Sequence, residues 1–383
     1  MDGTPAEPAP CPSNDSLLTI DLAALRHNWR LLAQKAGSAA TGAVVKANAY
    51  GLGIETAIPA LLSAGCRHFF VAHFSEARRV RALTKDAEIF VLNGFLPRTG
   101  PVYLEHRLTP VLGSLPEIAE WRGFVADHPD APPAALHFDT GLNRLGLAPT
   151  DGADIADAHR QGTLGFPLRL VMSHFVEAEI EGSVTTARQC GDFRILRALF
   201  KDIPASLCNS SGIFLRPDSH YDLVRPGYAL YGGHPLWSSD ANPMRAVIRL
   251  EAPILQTRII GTGETVGYGS FWTAKRPTRL ATLSLGYADG LPRGSESTDS
   301  KVGGHVMIGG VECAMLGRVS MDLLIVDVTD APDAAVQRGA FATLIGDELT
   351  IDTVGDSAGT IGYDILVSLG ARLERRVIDG SDD

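Results

Sequence analysis

A lysine and a tyrosine in the segment AVVKANAYG, residues 43–51, are the side chains of this chain best suited to covalent chemistry. A short apolar run bounded by glycine is typical of a buried strand, so Lys46 is expected where that strand ends, with Tyr50 just beyond it. Partial burial disfavours the ammonium form of a lysine and favours the nucleophilic amine. Such an amine can condense with a carbonyl group to form a Schiff base. Without further evidence, Lys46 could also be a strand-end lysine without a chemical role, whose side chain extends into water.

Eight short apolar runs recur between Ser16 and about Met244, separated by stretches of helical periodicity. They lie at or end near Lys46, Val71, Val91, Leu112, Phe138, Met172, Cys208 and Val224. Eight alternating strand and helix units predict a (β/α)8 barrel of the TIM type, an α/β fold. One helix before the first barrel strand is expected to be capped by Asp21 and ended by Gly37.

After about Arg245 the chain changes to short alternating segments rich in Val, Ile, Thr and Gly, which predict a mostly-β domain. Within it, Gly309 and Gly310 separate two such segments and predict a tight hairpin turn. We therefore expect a disordered tail at residues 1–15, a barrel at 16–245 and a C-terminal β domain at 246–383.

Composition excludes several functional classes. The 383 residues carry a net charge of −10 without long single-sign runs, which argues against a nucleic-acid groove or a basic membrane-binding face. No stretch approaches the roughly 18 apolar residues of a membrane span, and the first residues lack the pattern of a secretory signal. Five widely spaced cysteines without CxxC spacing argue against a disulfide framework or a structural zinc site. We expect a cytoplasmic protein without a metal.

Residues that follow the strands of such a barrel converge on one mouth, where active sites lie. The polar residues at these positions are Lys46, Tyr50, Asp139, Arg144, His174, Asn209, Ser210, Ser211, Arg225, Gly227 and Tyr228. The segments CNSSG and RPGYALYGG follow strands seven and eight and offer hydroxyl and backbone N–H groups suited to a phosphate. For either segment alone, helix capping and turn chemistry are the alternative.

Arg225 bears on reaction type if the ligand is pyridoxal phosphate (PLP), a carbonyl compound that lysine amines bind. An acid beside the pyridine nitrogen keeps that nitrogen protonated and makes the ring a strong electron sink, whereas an arginine donates a hydrogen bond and keeps its own proton. Arginine therefore suits proton transfer without a long-lived carbanion. His174 can stack on a flat ring, or simply be hydrogen bonded.

Taken together, these segments resemble those of the alanine racemases, a family of PLP-dependent amino acid racemases with a (β/α)8 barrel and a C-terminal β domain. The resemblance covers about Ser16 to Arg376. It rests, in chain order, on VVKANAYG, DTGLNRLG, MSHF, NSSG, VRPGYALYG, TVGYGSFW, SLGYADGLPR, GRVSMD and TIGYD.

The resemblance implies interconversion of L- and D-alanine by two bases, in a cytoplasmic homodimer that supplies D-alanine for peptidoglycan or degrades alanine. Lys46 would hold PLP and act as one base, and Tyr268 of the partner subunit would be the base on the opposite face. Arg225 would contact the pyridine nitrogen and His174 would pack near the ring. The phosphate and its surroundings would be held by Tyr50, Asn209, Ser210, Gly227, Tyr228 and Tyr363.

Substrate binding is implied for two further positions, Arg144 and the backbone at Met321, which would meet the substrate carboxylate. Four residues match an entrance lining: Glu179, Tyr287, Arg293 and Arg318. Two positions depart from the family pattern. Many relatives have a lysine, sometimes a carbamate, where this chain has His137, so Arg144 needs another brace. Ser206 replaces a histidine found in some relatives near the arginine, which leaves open how Arg225 is tuned.

Two other interpretations remain at this stage. One is a PLP-dependent decarboxylase on the same kind of fold, which would need an acid where Arg225 stands. The other is a non-catalytic PLP carrier, which would need neither a β domain nor Tyr268. Alanine itself follows from the resemblance alone, and serine is the alternative small substrate, because one pocket discriminates a methylene by only ~1–3 kcal/mol.

Overall fold

The computed structural model describes residues 15–236 and 241–380. It divides them into two units, one of residues 20–248 with 377–380 and one of residues 15–19 with 249–376. Apart from Asp15, the predicted tail lies outside the described residues. In the described part of the chain, no helix is long and apolar enough to cross a membrane.

The first unit is the predicted barrel, and each of the eight apolar runs forms a strand. Its strands are β2 (Ala40–Thr41), β3 (Ala43–Val44), β4 (His68–Val71), β5 (Glu88–Val91), β6 (Thr109–Leu112), β7 (Ala134–His137), β8 (Leu168–Met172), β9 (Ala205–Ser206) and β10 (Leu223–Val224). Strands β3 to β9 form a parallel sheet in chain order, and β10 pairs in parallel with β2. The prediction of a TIM-type fold is confirmed.

Backbone hydrogen bonds close the barrel at β10. On one side, the N–H of Asp222 donates to Ala205 O (3.0 Å). On the other side, the N–H of Gly42 donates to Val224 O (2.9 Å). Gly42 lies between β2 and β3, where a Cβ would lie 2.9 Å from the Phe70 ring and 3.0 Å from His68 O. The closed ring brings the ends of the first and last strands together.

In the barrel unit, α1 precedes the strands and the other helices follow them. They are α1 (Leu22–Ala36), α2 (Lys46–Tyr50), α3 (Ile54–Ala64), α4 (Phe74–Leu83), α5 (Gly100–His106), α6 (Leu115–Asp127), α7 (Gly152–Arg160), α8 (Val184–Leu199) and α9 (Ser210–Leu215). The predicted ends of α1 are confirmed: Asp21 accepts a hydrogen bond from the N–H of Ala24 (3.0 Å), and Gly37 ends the helix with φ of 66°. Inside the barrel, the Phe70 and Phe90 rings stack with centroids 4.6 Å apart.

The second unit is the predicted β domain. Its elements are β1 (Leu17–Asp21), β11 (Ile248–Ile260), β12 (Thr265–Val266), β13 (Trp272–Thr273), β14 (Thr278–Leu283), β15 (His305–Ile308), β16 (Val311–Ala314), β17 (Leu324–Asp327), β18 (Phe341–Ile345), α10 (Ile351–Ala358), α11 (Gly362–Ser368) and β19 (Glu374–Ile378). The Gly309–Gly310 hairpin is confirmed, with φ of 58° and 78° and with Ile308 paired to Val311.

Strand β1 was not anticipated as part of this unit. The main sheet has the order β16-β15-β18-β11-β1-β19, with β14 pairing β11 and β17. Residues 16–19, expected in the barrel, cluster instead with the β-rich unit, because β1 lies between β11 and β19. Pairing between the two ends of a chain leaves no local sequence signal.

An ion cluster lies at the N-terminal ends of the barrel strands. Glu88 begins β5, and its carboxylate accepts hydrogen bonds from Arg169 of β8 (2.5 and 2.9 Å) and lies 3.3 Å from His68 Nε2 of β4. Burial alone raises the pKa of Glu88, but the bonds from His68 and Arg169 outweigh burial and lower it to about 2. Polar contacts at this end of a barrel serve stability.

We therefore expect Glu88→Gln to lower the free energy of unfolding by about 1–2 kcal/mol at pH 7, a value reduced for partial solvent exposure. Because the pKa of Glu88 is depressed on folding, the carboxylate stabilises above the unfolded pKa of about 4.3, and this stabilisation is lost as pH falls towards 2. Urea unfolding between pH 7 and 2.5 measures the effect. The exposed Glu120→Gln is the control, and a difference that did not shrink at low pH would exclude the carboxylate as its source.

Candidate active site

The polar residues predicted at the barrel mouth come together in the first unit. Lys46 lies close enough to Arg144 for their charges to interact. His174 likewise interacts with Arg225, Arg144, His137 and Lys46. The mouth therefore carries cations and imidazoles around a half-buried lysine. In the described part of the chain, no group of His, Cys, Asp and Glu side chains could hold a metal ion.

Lys46 begins a turn that the sequence did not predict. Ala47, Asn48, Ala49 and Tyr50 have φ of 52°, 57°, 54° and 51°, so four consecutive residues are left-handed. Each such residue other than glycine costs roughly 1–2 kcal/mol. Only Asn48 offered a signal, because asparagine tolerates this conformation better than most residues.

Two side chains of the neighbouring helix α4, Glu76 and Arg79, hold this strained turn in place. The Asn48 N–H donates to Glu76 Oε1 (3.2 Å). The Asn48 side-chain oxygen accepts from Arg79 Nη2 (2.7 Å) and from the N–H of Ile54 (3.2 Å). Strain held in this way is typical of functional sites, and here it fixes the backbone that carries Lys46.

The electrostatic surroundings of Lys46 favour its amine form. Burial lowers its pKa, the positive charge of Arg144 lowers it further, and Glu76 opposes the shift. An amine that loses its proton more readily is a better nucleophile towards a carbonyl group and can also accept a proton.

Arg225 is the most deeply buried cation of the mouth, with 4% of its surface exposed. Its Nη2 donates to Ser173 O (2.5 Å) and Leu207 O (3.4 Å), and its Nη1 donates to Ser206 Oγ. Burial lowers its pKa to about 10, so it remains a cation at neutral pH. Its Nε donates to no residue that the structure describes, and it is therefore a donor available to a ring nitrogen.

Ser206 stands at the position where some relatives have histidine, and its hydroxyl makes two hydrogen bonds. Its hydroxyl accepts from Arg225 and donates to Leu223 O (2.5 Å). A hydroxyl with this pattern orients Arg225 but adds no titratable group beside it.

Both histidines of the mouth are neutral at physiological pH. Burial, with Arg225 next in importance, lowers the pKa of His174 well below its ordinary value and that of His137 to about 4. The backbone oxygen of His174 accepts from Gln189 Nε2 (2.9 Å) of α8, and the same nitrogen donates to Thr140 Oγ1 (3.1 Å). Sequence analysis did not identify Gln189, because a single amide side chain within α8 carries no local signal of its burial or of its partners.

The loop that carries Arg144 is fixed by Asp139. The Asp139 carboxylate accepts from the N–H groups of Gly141, Leu142 and Asn143, each at 2.8 Å. Arg144 itself is exposed and makes no hydrogen bond or ion pair with any residue from 15–236 or 241–380. Arg144 is therefore not held by an ion pair within the described residues, and the neutral His137 adds no anionic brace.

The two segments predicted to hold a phosphate meet where α9 begins. Asn209 caps the helix by accepting from the N–H of Gly212 (3.0 Å). Ser210 Oγ accepts from the N–H groups of Gly227 (3.1 Å) and Ala229 (3.2 Å), so its side chain holds the following turn in place. A Cβ at Gly227 would lie 2.6 Å from the Tyr50 hydroxyl, so a larger residue there would displace the Tyr50 ring.

The second unit carries the remaining predicted site residues, all of them on its surface. Tyr268 is 72% exposed and lies in a short turn between Gly267 (φ 75°) and Gly269 (φ 78°). The turn is followed by Phe271, whose ring packs against the Arg318 guanidinium at 4.1 Å. Met321 and Tyr363 are also exposed.

Comparison with known proteins gives a consistent result. Residues 20–235 match the N-terminal domain of alanine racemase, and residues 247–377 match its C-terminal domain. The alanine racemase of Methylobacterium nodulans is 53% identical over 369 residues, which cover 96% of this chain and 98% of that protein.

Solved structures of alanine racemases are similar to this chain over nearly its whole length. A crystal structure of alanine racemase from Bartonella henselae with covalently bound pyridoxal phosphate has a TM-score of 0.88 and 37% identity, and the match covers 96% of this chain and 100% of that one. The biosynthetic alanine racemase of Pseudomonas aeruginosa has the same TM-score, 35% identity and the same coverage.

Proposed function

The chain belongs to the alanine racemase family and is a PLP-dependent racemase of alanine, and on this premise we propose that Lys46 and Tyr268 are its two catalytic bases. The observation that carries the proposal is the half-buried Lys46, whose pKa is lowered by burial and by Arg144.

The barrel mouth fits the cofactor. Lys46 would bind it covalently, Arg225 would donate to its pyridine nitrogen through Nε, and His174 would pack near its ring. The phosphate would be held by Tyr50, Asn209, Ser210, Gly227, Tyr228 and Tyr363. When bound, PLP supplies an electron sink that makes the Cα proton of alanine labile.

Arg225 favours racemisation over decarboxylation. As a cation at neutral pH it gives a hydrogen bond and keeps its proton, whereas the decarboxylase interpretation needs an acid at this position. Ser206 is neutral and bonded to Arg225, so it supplies no such acid.

The substrate carboxylate would be bound by Arg144 and by the backbone N–H of Met321. Arg144 bonds to no described residue and is free to make a charge-assisted pair. Lys46 Nζ would then exchange a proton with one face of the substrate Cα, and the Tyr268 hydroxyl with the other. When one base removes the Cα proton from its face and the other base delivers a proton to the opposite face, the configuration at Cα is inverted.

We further propose a homodimer in which Tyr268 completes the partner's site. Two exposed apolar sets support this. At the ends of barrel strands they are Leu96, Leu145, Val176 and Ile180, and in the β-rich unit they are Phe271, Met321, Leu323 and Ile361. Large apolar side chains left exposed in this number are typical of interaction surfaces. We place the enzyme in the cytoplasm, which the free thiols of Cys66, Cys190, Cys208 and Cys313 suit.

Mixing two inactive variants tests the shared site. Lys46→Ala and Tyr268→Phe chains that exchange at random form heterodimers as about half of all dimers, each with one site that has both bases. We therefore expect about a quarter of wild-type activity, measured as D-alanine formed from L-alanine by chiral chromatography.

The matched control mixes Lys46→Ala with the double variant Lys46→Ala/Tyr268→Phe, which cannot form an intact site and should stay inactive. Differently tagged chains report how many heterodimers form. Heterodimers without recovered activity would place both bases on one chain and refute the shared site.

A further inference from the structure

Three loops of the β-rich unit meet around Met321, and one arginine connects them. They are the turn 286–290, the segment 320–322 and the segment 370–373, which contains Arg372. Neither the sequence motifs nor the resemblance assigned a role to Arg372.

Arg372 is anchored on a buried carboxylate. Its Nε and Nη2 donate to the two oxygens of Asp289 (2.5 and 3.0 Å), a side chain that is 5% exposed. Its Nη1 donates to Asp322 (2.7 Å), and Nη2 also reaches Met321 O (3.5 Å). A two-point pair of this kind fixes orientation as well as distance.

Asp289 transmits this anchoring to the turn 286–290. The same carboxylate accepts from the N–H of Gly286 (2.8 Å), which holds the turn closed. The turn then donates two backbone hydrogen bonds to the neighbouring segment, from Tyr287 to Ser320 O (3.1 Å) and from Ala288 to Met321 O (3.0 Å).

These bonds fix the peptide groups on both sides of Met321. Ser320 O belongs to the same peptide plane as the Met321 N–H, and Met321 O belongs to the next plane. Gly286 packs so closely on both oxygens that a Cβ there would collide with them. The Met321 N–H bonds to no residue in the described part of the chain and is held ready for an external acceptor.

We propose that Arg372 and Asp289 are positioning residues that hold the Met321 amide in place for the substrate carboxylate. This inference rests on the proposed contact between Met321 and substrate. Arg372 acts through the turn 286–290 and through Met321 O, and it touches neither substrate nor cofactor.

The holoenzyme of Arg372→Met tests the proposal. Because the carboxylate contact is made in ground state and transition state alike, its loss raises KM and leaves kcat unchanged. We expect KM for L-alanine to rise about tenfold, with kcat within about twofold of wild type. The inhibition constant of propionate, which has the carboxylate but no amino group, should rise by a similar factor. Hydrogen exchange of the Tyr287 and Ala288 amides should accelerate.

Arg276→Met is the control, because Arg276 is an exposed arginine of the same unit with a carboxylate partner, Asp330 (2.7 Å). It should leave KM, propionate inhibition and the exchange of these amides unchanged. Should Arg372→Met fail to fold, Arg372→Lys keeps the charge without the two-point pair and is expected to give an intermediate KM.

The possible outcomes distinguish failure of the proposed carboxylate site from failure of the positioning role of Arg372. A wild-type enzyme that racemises alanine but is not inhibited by propionate would contradict the carboxylate site itself. Normal propionate inhibition of wild type, together with an unchanged KM and inhibition constant in Arg372→Met, would overturn the positioning role. A loss of kcat without a rise in KM would overturn it as well.

Discussion

Replacing Tyr268 by phenylalanine is expected to lower kcat for racemisation about 10³-fold, which is the usual contribution of a positioned general acid or base. The substitution removes one hydroxyl from a side chain that is 72% exposed, so the fold has little reason to change. Lys46 and Arg225 lie in the other unit and are untouched, and bound PLP should therefore be retained. Chiral chromatography from each enantiomer, with the cofactor content measured in parallel, gives both quantities.

The exchange of the Cα proton in D2O shows whether Tyr268 serves one face only. With Lys46 as the single remaining base, one enantiomer of alanine should still exchange its Cα proton for deuterium and the other should not. Tyr221→Phe is the control, because it removes the hydroxyl of a half-buried tyrosine that packs on Phe193 outside the site, and it should keep exchange of both enantiomers. Full racemase activity in Tyr268→Phe would refute the two-base mechanism.

The barrel was predictable because its signal is local. Each parallel strand is buried on both faces, so each appears as a short apolar run, and all eight runs form strands. The hairpin at Gly309–Gly310 was predictable for the same reason, since two adjacent glycines specify a tight turn. Strand β1 was not, because its partners β11 and β19 lie far along the chain.

Within the site, residue types were easier to predict than conformations and contacts. The barrel-mouth set followed from its position after the strands, and the structure brings Lys46, Arg144, His174 and Arg225 together. The left-handed turn after Lys46 was not foreseeable, because its strain is held by Glu76 and Arg79 from another helix. The roles of Tyr268, Met321 and Tyr363 came from family resemblance and remain predictions.

The hydrogen bonds that hold the site residues in place were the least predictable part of the structure. The sequence could show that Ser206 replaces a histidine, but its two hydrogen bonds depend on how β9 and β10 lie side by side. The Arg372–Asp289 pair joins residues of two separate loops. Asp289 lies in the motif SLGYADGLPR, but the motif does not indicate that its partner is Arg372. Such pairs are decided by tertiary packing, which periodicity and turn chemistry do not report.

Lys46→Ala is expected to abolish racemisation, because it removes both the covalent attachment point and one of the two bases. Non-covalent contacts at Arg225 and Ser210 remain, so the variant should still bind PLP but release it on gel filtration or dialysis, whereas wild type retains it. We expect kcat to fall by at least about 10⁴-fold, more than for Tyr268→Phe, since two functions are lost.

The pH dependence of attachment tests the reason that Lys46 is suited to this role. Its pKa is lowered by burial and by Arg144, so the reactive amine should appear at lower pH than in an exposed lysine, and wild-type apoprotein should capture PLP with a midpoint below about 10.4. Lys35→Ala, at the surface end of α1, is the control and should attach PLP normally. Covalent PLP in Lys46→Ala, or capture that requires the pH of a free lysine, would contradict the assignment, because an amine that stays protonated at neutral pH can neither attack the cofactor nor accept a proton from alanine.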